Sequence, residues 1–181
     1  PEAARNAAIA CVNAAGAGSH LITLAADLAL TGATTPLNNP AATELRLAGA
    51  GHTIDGHGHG PILSVAAGTT AHLSGLTLQA GAAADGAAVN NAGVLTIESS
   101  QLRDNAATGR GGAVFNSGRL TLKSATLTGN SAPTGGGVAS AAEARAAAVT
   151  ILDSNLTGNT AGNGGGLWAQ GGGTTIDATS C

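Results

Sequence analysis

From Val94 onward the chain carries three near-copies of one pattern: VLTIESSQLRDNAATGRGGAVFN, RLTLKSATLTGNSAPTGGGVAS and AVTILDSNLTGNTAGNGGGLWAQ. Each copy has an alternating strand, a second alternating strand that ends in Asn, a Gly-rich turn and a short apolar strand. A unit repeated at this length cannot bury its own apolar face. It stacks on its neighbours, and the product is a solenoid.

The same period extends beyond the three copies. One outward column is expected at Thr23, Arg46, His72, Thr96, Thr121, Thr150 and Thr175, in steps of 23, 26, 24, 25, 29 and 25. Its neighbours alternate apolar, as in Leu95 and Ile97 or Leu120 and Leu122. Constant parity in a period of two defines the buried face. A second strand set places Leu30, Ile54, Leu78, Leu102, Leu127 and Leu156 inward, and a third places Leu63, Val89, Val114, Val138 and Leu167 inward. Three columns with one shared period predict three parallel sheets. The expected fold is all-β, a right-handed parallel β-helix of about seven rungs, the hand following from the rule for parallel crossovers. The step of 29 locates an insertion in residues 141–148.

Composition agrees with a narrow tube. Hydrophobic residues make up 43% of the chain but aromatics only 1%. A core of Ala, Val, Leu and Ile suits a uniform cross-section, whereas a globule centres on larger side chains. The first fifteen residues, PEAARNAAIACVNAA, read instead as a short helix. Pro1 and Glu2 suit its first turn, the alanines favour it, and Gly16 and Gly18 end it. Ala4, Ala8, Ile9 and Cys11 are its expected apolar face. The division is a capping helix over residues 1–19 and a β-helix over 20–181.

Several function classes fall away. Net charge is −3 and pI about 5.9, with one Lys and six Arg, so there is no basic footprint for nucleic acid. No apolar run approaches the ~18 residues of a membrane span. The start at Pro1, with neither Met nor signal peptide, reads as a processed form or an excised piece.

The turns carry structural residues. Asn105, Asn130 and Asn159 share a column, where stacked amides can bond along the tube and Asn tolerates a left-handed turn. The Gly runs 111–112, 135–137 and 164–166 allow positive φ and close backbone approach. No helix follows them, so phosphate binding is not their role.

Gly111-Gly112-Ala113-Val114 resembles the GGA-plus-aliphatic tetrapeptide of the polymorphic outer membrane proteins. Leu102-x-x-Asn105, Leu127-x-x-Asn130 and Leu156-x-x-Asn159 are similar to their Phe-x-x-Asn tetrapeptide, with Leu for Phe. The start, NAAIACVNAAGAGSHLITLA, resembles the helix-then-strand opening of large secreted bacterial β-helix repeat proteins with a CSLREA-type leader, without the leader itself. Only GGAV matches in full, which sets the resemblance with β-helix repeat proteins in general. It implies secreted or surface-displayed bacterial proteins that serve as adhesins, passengers or structural rods.

Candidate sites are few. Enzymes of this shape that cleave acidic polysaccharides need paired carboxylates on adjacent rungs. Here the Asp residues do not gather: Asp55 stacks towards Gln79 and Arg103, and Asp153 on Ser124 and Ala178. Glu98 stacks on Lys123 as a surface ion pair. Asp55, His57 and His59 form the one cluster with ligand chemistry for Zn²⁺ or Cu²⁺. Alternate glycines make it a flexible turn, so weak metal binding stands beside solvated histidines. Ice binding would need a flat Thr array, and only Thr126 and Thr128 supply Thr-x-Thr. No cofactor is expected.

Cys11 lies before the first rung and Cys181 after the last. With rungs ~4.8 Å apart, six turns separate them by roughly 29 Å, beyond the ~7 Å limit of a disulfide. Both are then free thiols, or each pairs with another chain. The expectation is a non-catalytic extracellular structural protein that stacks end to end with itself into a rod or filament, joined through Cys11 and Cys181. The alternative is a surface adhesin or autotransporter passenger segment, and a polysaccharide-degrading enzyme ranks behind both.

Overall fold

The computed structural model describes residues 2–32, 34–141 and 147–171, and the backbone of 175–179. Among the described residues, twenty-two strands follow one helix and wind as a parallel β-helix. The first ladder has seven strands: Ser19–Thr23, Glu44–Ala48, Thr70–Ser74, Val94–Glu98, Arg119–Lys123, Ala148–Leu152 and Thr175–Thr179. The second has six: Leu28–Ala29, Thr53–Asp55, Thr77–Gln79, Gln101–Arg103, Thr126–Thr128 and Asn155–Thr157. The five-stranded ladder runs from Leu63–Val65 to Leu167–Gln170. These are the three sheets the periodicity predicts.

A fourth ladder of four strands lies between the second and the five-stranded one: Ala82–Asp85, Ala106–Arg110, Ser131–Thr134 and Thr160–Asn163. Its residues are small and polar, with Ala107 and Ala132 the main inward positions. A column without large apolar residues leaves little period-two signal.

Register agrees with the sequence in the middle and departs from it at both ends. Thr96, Thr121 and Thr150 are direct partners. At the start, Leu21 and not Thr23 pairs with Arg46, and Leu28 and not Leu30 pairs with Ile54. The chain leaving the helix fixes this shift, because Gly18 C=O accepts from Thr43 N–H at 2.8 Å and so starts the ladder at Ser19. At the far end Asp177, not Thr175, pairs with Thr150. That register brings Ile176 beside Val149 and Ala178 beside Ile151. Asp153 therefore has no partner in Ala178. Of the insertion expected in residues 141–148, residues 142–146 lie outside the described residues, and so does Cys181.

The core is one continuous column of Leu, Ile, Val and Ala along the tube. Leu78, Leu102, Leu127, Leu95, Ile97, Leu120 and Leu122 are all 0–1% exposed, so the inward columns are dry. Burying a Leu or Ile side chain is worth ~1.5–3 kcal/mol, and each rung repeats that gain.

The helix α1 (Glu2–Ala14) lies against the first coil. Its buried side chains are Arg5 and Ile9, with Val12 half-buried against the core. The spacing i, i+4, i+7 is one helix face. Of the expected face of Ala4, Ala8, Ile9 and Cys11, Ile9 is buried and Ala8 half-buried, whereas Ala4 is exposed and Cys11 is an exposed free thiol, because the face turns towards Arg5 and Val12. Asn39 closes the helix end: its amide donates to Val12 C=O at 2.7 Å and to Ala15 C=O, one residue past the helix, at 2.8 Å, where a helix terminus leaves carbonyls short of partners.

Candidate functional site

Buried amides organise the interior polar groups. Asn105 Nδ2 donates to Asn130 Oδ1 at 2.9 Å, and Asn130 Nδ2 donates to Asn159 Oδ1 at 2.9 Å. Each amide also donates to the carbonyl of the preceding rung: Asn105 to Leu78, Asn130 to Leu102 and Asn159 to Leu127. The Asn column expected from the sequence is thus a real ladder. The left-handed residue, however, is the one before each Asn: Asp104, Gly129 and Gly158 have φ of 56°, 66° and 64°. The Asn side chain must point inward to bond, and the residue ahead of it makes the turn.

A second ladder escaped the sequence reading. Asn91 Nδ2 donates to Asn116 Oδ1 at 2.8 Å, and Asn116 Nδ2 donates to Ser140 Oγ at 3.1 Å. Asn91 and Asn116 are 0% exposed. Its signal was Asn-x-Gly, present at Asn91-Ala92-Gly93 and again one coil later at Asn116-Ser117-Gly118.

The outer face of the first ladder carries alternating charge. Arg46 Nε lies 3.4 Å from Glu44 Oε2, and His72 Nδ1 lies 3.8 Å from Glu44 Oε1. On its other side, His72 Nε2 sits 3.0 Å from Glu98 Oε2, whose Oε1 meets Lys123 Nζ at 2.7 Å. The Glu98–Lys123 pair is the one the sequence predicts. Lys123, ahead of His72, holds the Glu98 carboxyl below its ordinary range, and Glu98 raises the Lys123 ammonium in return. His72 extends the pair into a band across four rungs.

The outer face of the second ladder holds a shallow groove lined by Asp27, Asp55, Gln79 and Arg103, with Thr53, Leu28 and Ala29. Asp55, Gln79 and Arg103 stack as expected. Asp27 joins them because Leu28, not Leu30, pairs with Ile54. This corrects the expectation that no two acids share a groove. Asp27 Oδ1 accepts from Thr53 N–H at 2.9 Å and lies 3.1 Å from His52 Nδ1. Asp55 accepts from Gln79 Nε2 at 2.8 Å and from His57 N–H at 2.8 Å. The Thr53 amide holds the Asp27 pKa down, and the Gln79 amide does the same for Asp55. A general acid needs the opposite shift. Both carboxylates are built to stay ionised.

His57 and His59 do not converge with Asp55 as a metal site. His57 Nδ1 is 3.8 Å from Asp55 Oδ1, and its ring is 75% exposed. Asp55 spends its near oxygen on the His57 backbone, closing a turn in which His57 has φ of 52°. Among the described residues, no group of three His, Cys, Asp or Glu side chains is placed to hold a metal ion.

Both aromatic residues, Phe115 and Trp168, meet in one cluster outside the core with Ala139 and Ala141. Phe115 is paired with Ala139, and Ala139 with Trp168, so they follow one another along the five-stranded ladder. The Arg110 guanidinium lies 4.2 Å from the Phe115 ring centroid and pairs with Asp85 at 3.0 Å.

The fold defines a parallel β-helix closed by a helix at its first coil. Comparison with family models, curated proteins and solved structures gives no match. No helix among the described residues is long and apolar enough to cross a membrane.

Proposed function

We propose that the chain is a non-catalytic, extracellular structural β-helix, a rod segment of the surface adhesin or passenger kind. One observation carries this reading: the conspicuous polar side chains are used by the tube itself. Asn105, Asn130, Asn91 and Asn116 bond along the interior. Asp27 and Asp55 serve neighbouring backbone and amide groups. The depressed carboxylates of the groove shared by Asp27 and Asp55 lack the proton a glycosidase-type acid delivers.

End-to-end stacking into a filament, the first expectation from the sequence, is less well supported. Strand pairing between copies needs a bare rung at both contacting ends. At the first coil α1 occupies that place: Ile9 is 0% exposed, and Glu2, Asn6 and Asn13 bond to the segment from Thr31 to Asn38. A copy adding strands there has to displace it.

Electron microscopy with non-reducing electrophoresis tests the proposal. Short separate rods and one monomer band are expected. Fibres of indefinite length, or a ladder that reductant collapses, overturn it in favour of the filament. Release of unsaturated or reducing ends from an acidic polysaccharide overturns the non-catalytic reading.

A further inference from the structure

An apolar groove of about 260 Å³ runs between α1 and the turn after the first strand. Ala4 and Ala8 form its helix side, and Ile22, Leu24 and Leu28 its coil side. Arg5 lines it as well, although the residue is only 4% exposed. One terminal nitrogen of Arg5 donates to Ile62 C=O at 3.1 Å, and the other donates to Asn6 Oδ1 at 2.8 Å. Its Nε–H meets no acceptor.

Both acceptors are neutral. Among the described residues Arg5 makes no ion pair with a carboxylate. Glu2 acts on it through space, but that carboxylate is taken by Thr31. A buried cation without a bonded counter-ion is costly to hold in a protein interior. Charge complementarity therefore calls for an anion, and the groove walls call for an apolar body.

We propose that this groove binds a small aliphatic carboxylate, its head at Arg5 and its tail along Ala8, Ile22, Leu24 and Leu28. The volume equals roughly eight or nine water molecules at ~30 Å³ each, which suits an acyl chain of medium length. Asp27 also lines the groove. Its carboxylate repels an acid head from its own end and so fixes which way the ligand lies. An apolar pocket with a few convergent polar groups is the usual form of a small-ligand site. The site is independent of the rod reading, and it places ligand binding at the capped end.

Octanoate and octylammonium are the probes, each titrated into the full chain by calorimetry and by thermal unfolding. Octanoate is expected to bind one to one and raise the unfolding temperature, as any ligand of the folded state does; octylammonium is not. Arg5→Met should weaken octanoate by about tenfold or more, the scale of a lost bond to a charged group. Arg5 also holds α1 to Ile62, so Ala8→Leu supplies a second arm: it fills the groove, keeps the guanidinium and should weaken octanoate comparably. Equal binding of the two amphiphiles, binding of neither, or unchanged octanoate affinity in Ala8→Leu overturns the proposal.

Discussion

The coils from Val94 to Gln170 and the first coil with its helix solve the same problem differently. In the middle, every rung is held by a copy of itself. Leu102, Leu127 and Leu156 stack, Asn105, Asn130 and Asn159 bond in file, and glycines with positive φ stand at Gly111, Gly135 and Gly164. A Cβ on Gly112 would overlap the Gly136 carbonyl of the next coil, so that corner is closed to other residues. The first coil packs on α1 instead of on a copy of itself. It is held by unlike parts: Ile9 against the core, Arg5 on Ile62, Glu2 on Thr31, Asn39 on the helix end. Repetition makes the middle cooperative with its neighbours, whereas the cap depends on individual bonds that nothing else duplicates.

Substitutions can break that contrast. Asn130→Ala should have the largest effect. It removes the donor to the Leu102 carbonyl, the acceptor of the Asn105 backbone N–H and the acceptor of one of the two Asn105 amide hydrogens. Loss of about 4 kcal/mol in urea unfolding is expected from several buried groups left unpaired. A loss under ~1 kcal/mol would mean the ladder is ornamental.

Ile9→Ala comes next, and its effect should be local. Large-to-small changes in a core cost about 2–5 kcal/mol, but solenoid stability is a sum of neighbouring terms. Hydrogen exchange should quicken in α1 and the first coil, while amides from Leu95 to Leu127 keep their protection. Uniform loss of protection along the tube would show that cap and middle are one unit.

Acid sharpens the comparison further. Thr31, through its hydroxyl first and then its N–H, holds the Glu2 carboxyl below its ordinary value of 4.5. The latch is therefore complete above that pH and is lost as pH falls through the lowered value. Protection of the Thr31 amide should drop in that acid range and become independent of pH in Glu2→Gln. Lys123→Ala, on an exposed pair, should have the smallest effect. The shift in its unfolding midpoint should shrink further in high salt.

What the sequence showed and what it hid divide along the same line. Leu127, Asn130 and Val138 belong to columns in which like residues return once per coil, so their columns, partners and burial were legible. The ladder through Ala107 and Ala132 was not, because alanine flanked by polar residues has no amphipathic signature. Thr23 and Leu30 were set where Leu21 and Leu28 stand, two residues earlier, because the register there is set by Gly18 bonding to Thr43, not by a repeat. Asp27 was consequently missed in the groove with Asp55. The His72 bridge between Glu44 and Glu98 needed side-chain reach as well as register. Arg5 was invisible as a buried residue, since a charged side chain on an Ala-rich helix reads as exposed.

Register in the middle coils is the claim on which the rest stands, and paired cysteines test it directly. In a background with Cys11→Ser and Cys181→Ser, Thr121→Cys with Thr150→Cys places two thiols on adjacent rungs, ~4.8 Å apart and within disulfide reach. Thr96→Cys with Thr150→Cys places them two rungs apart, at about twice that spacing. Mild oxidation should close the first pair within one molecule and leave the second open. Closure of the second pair, or failure of the first, would contradict the parallel stack.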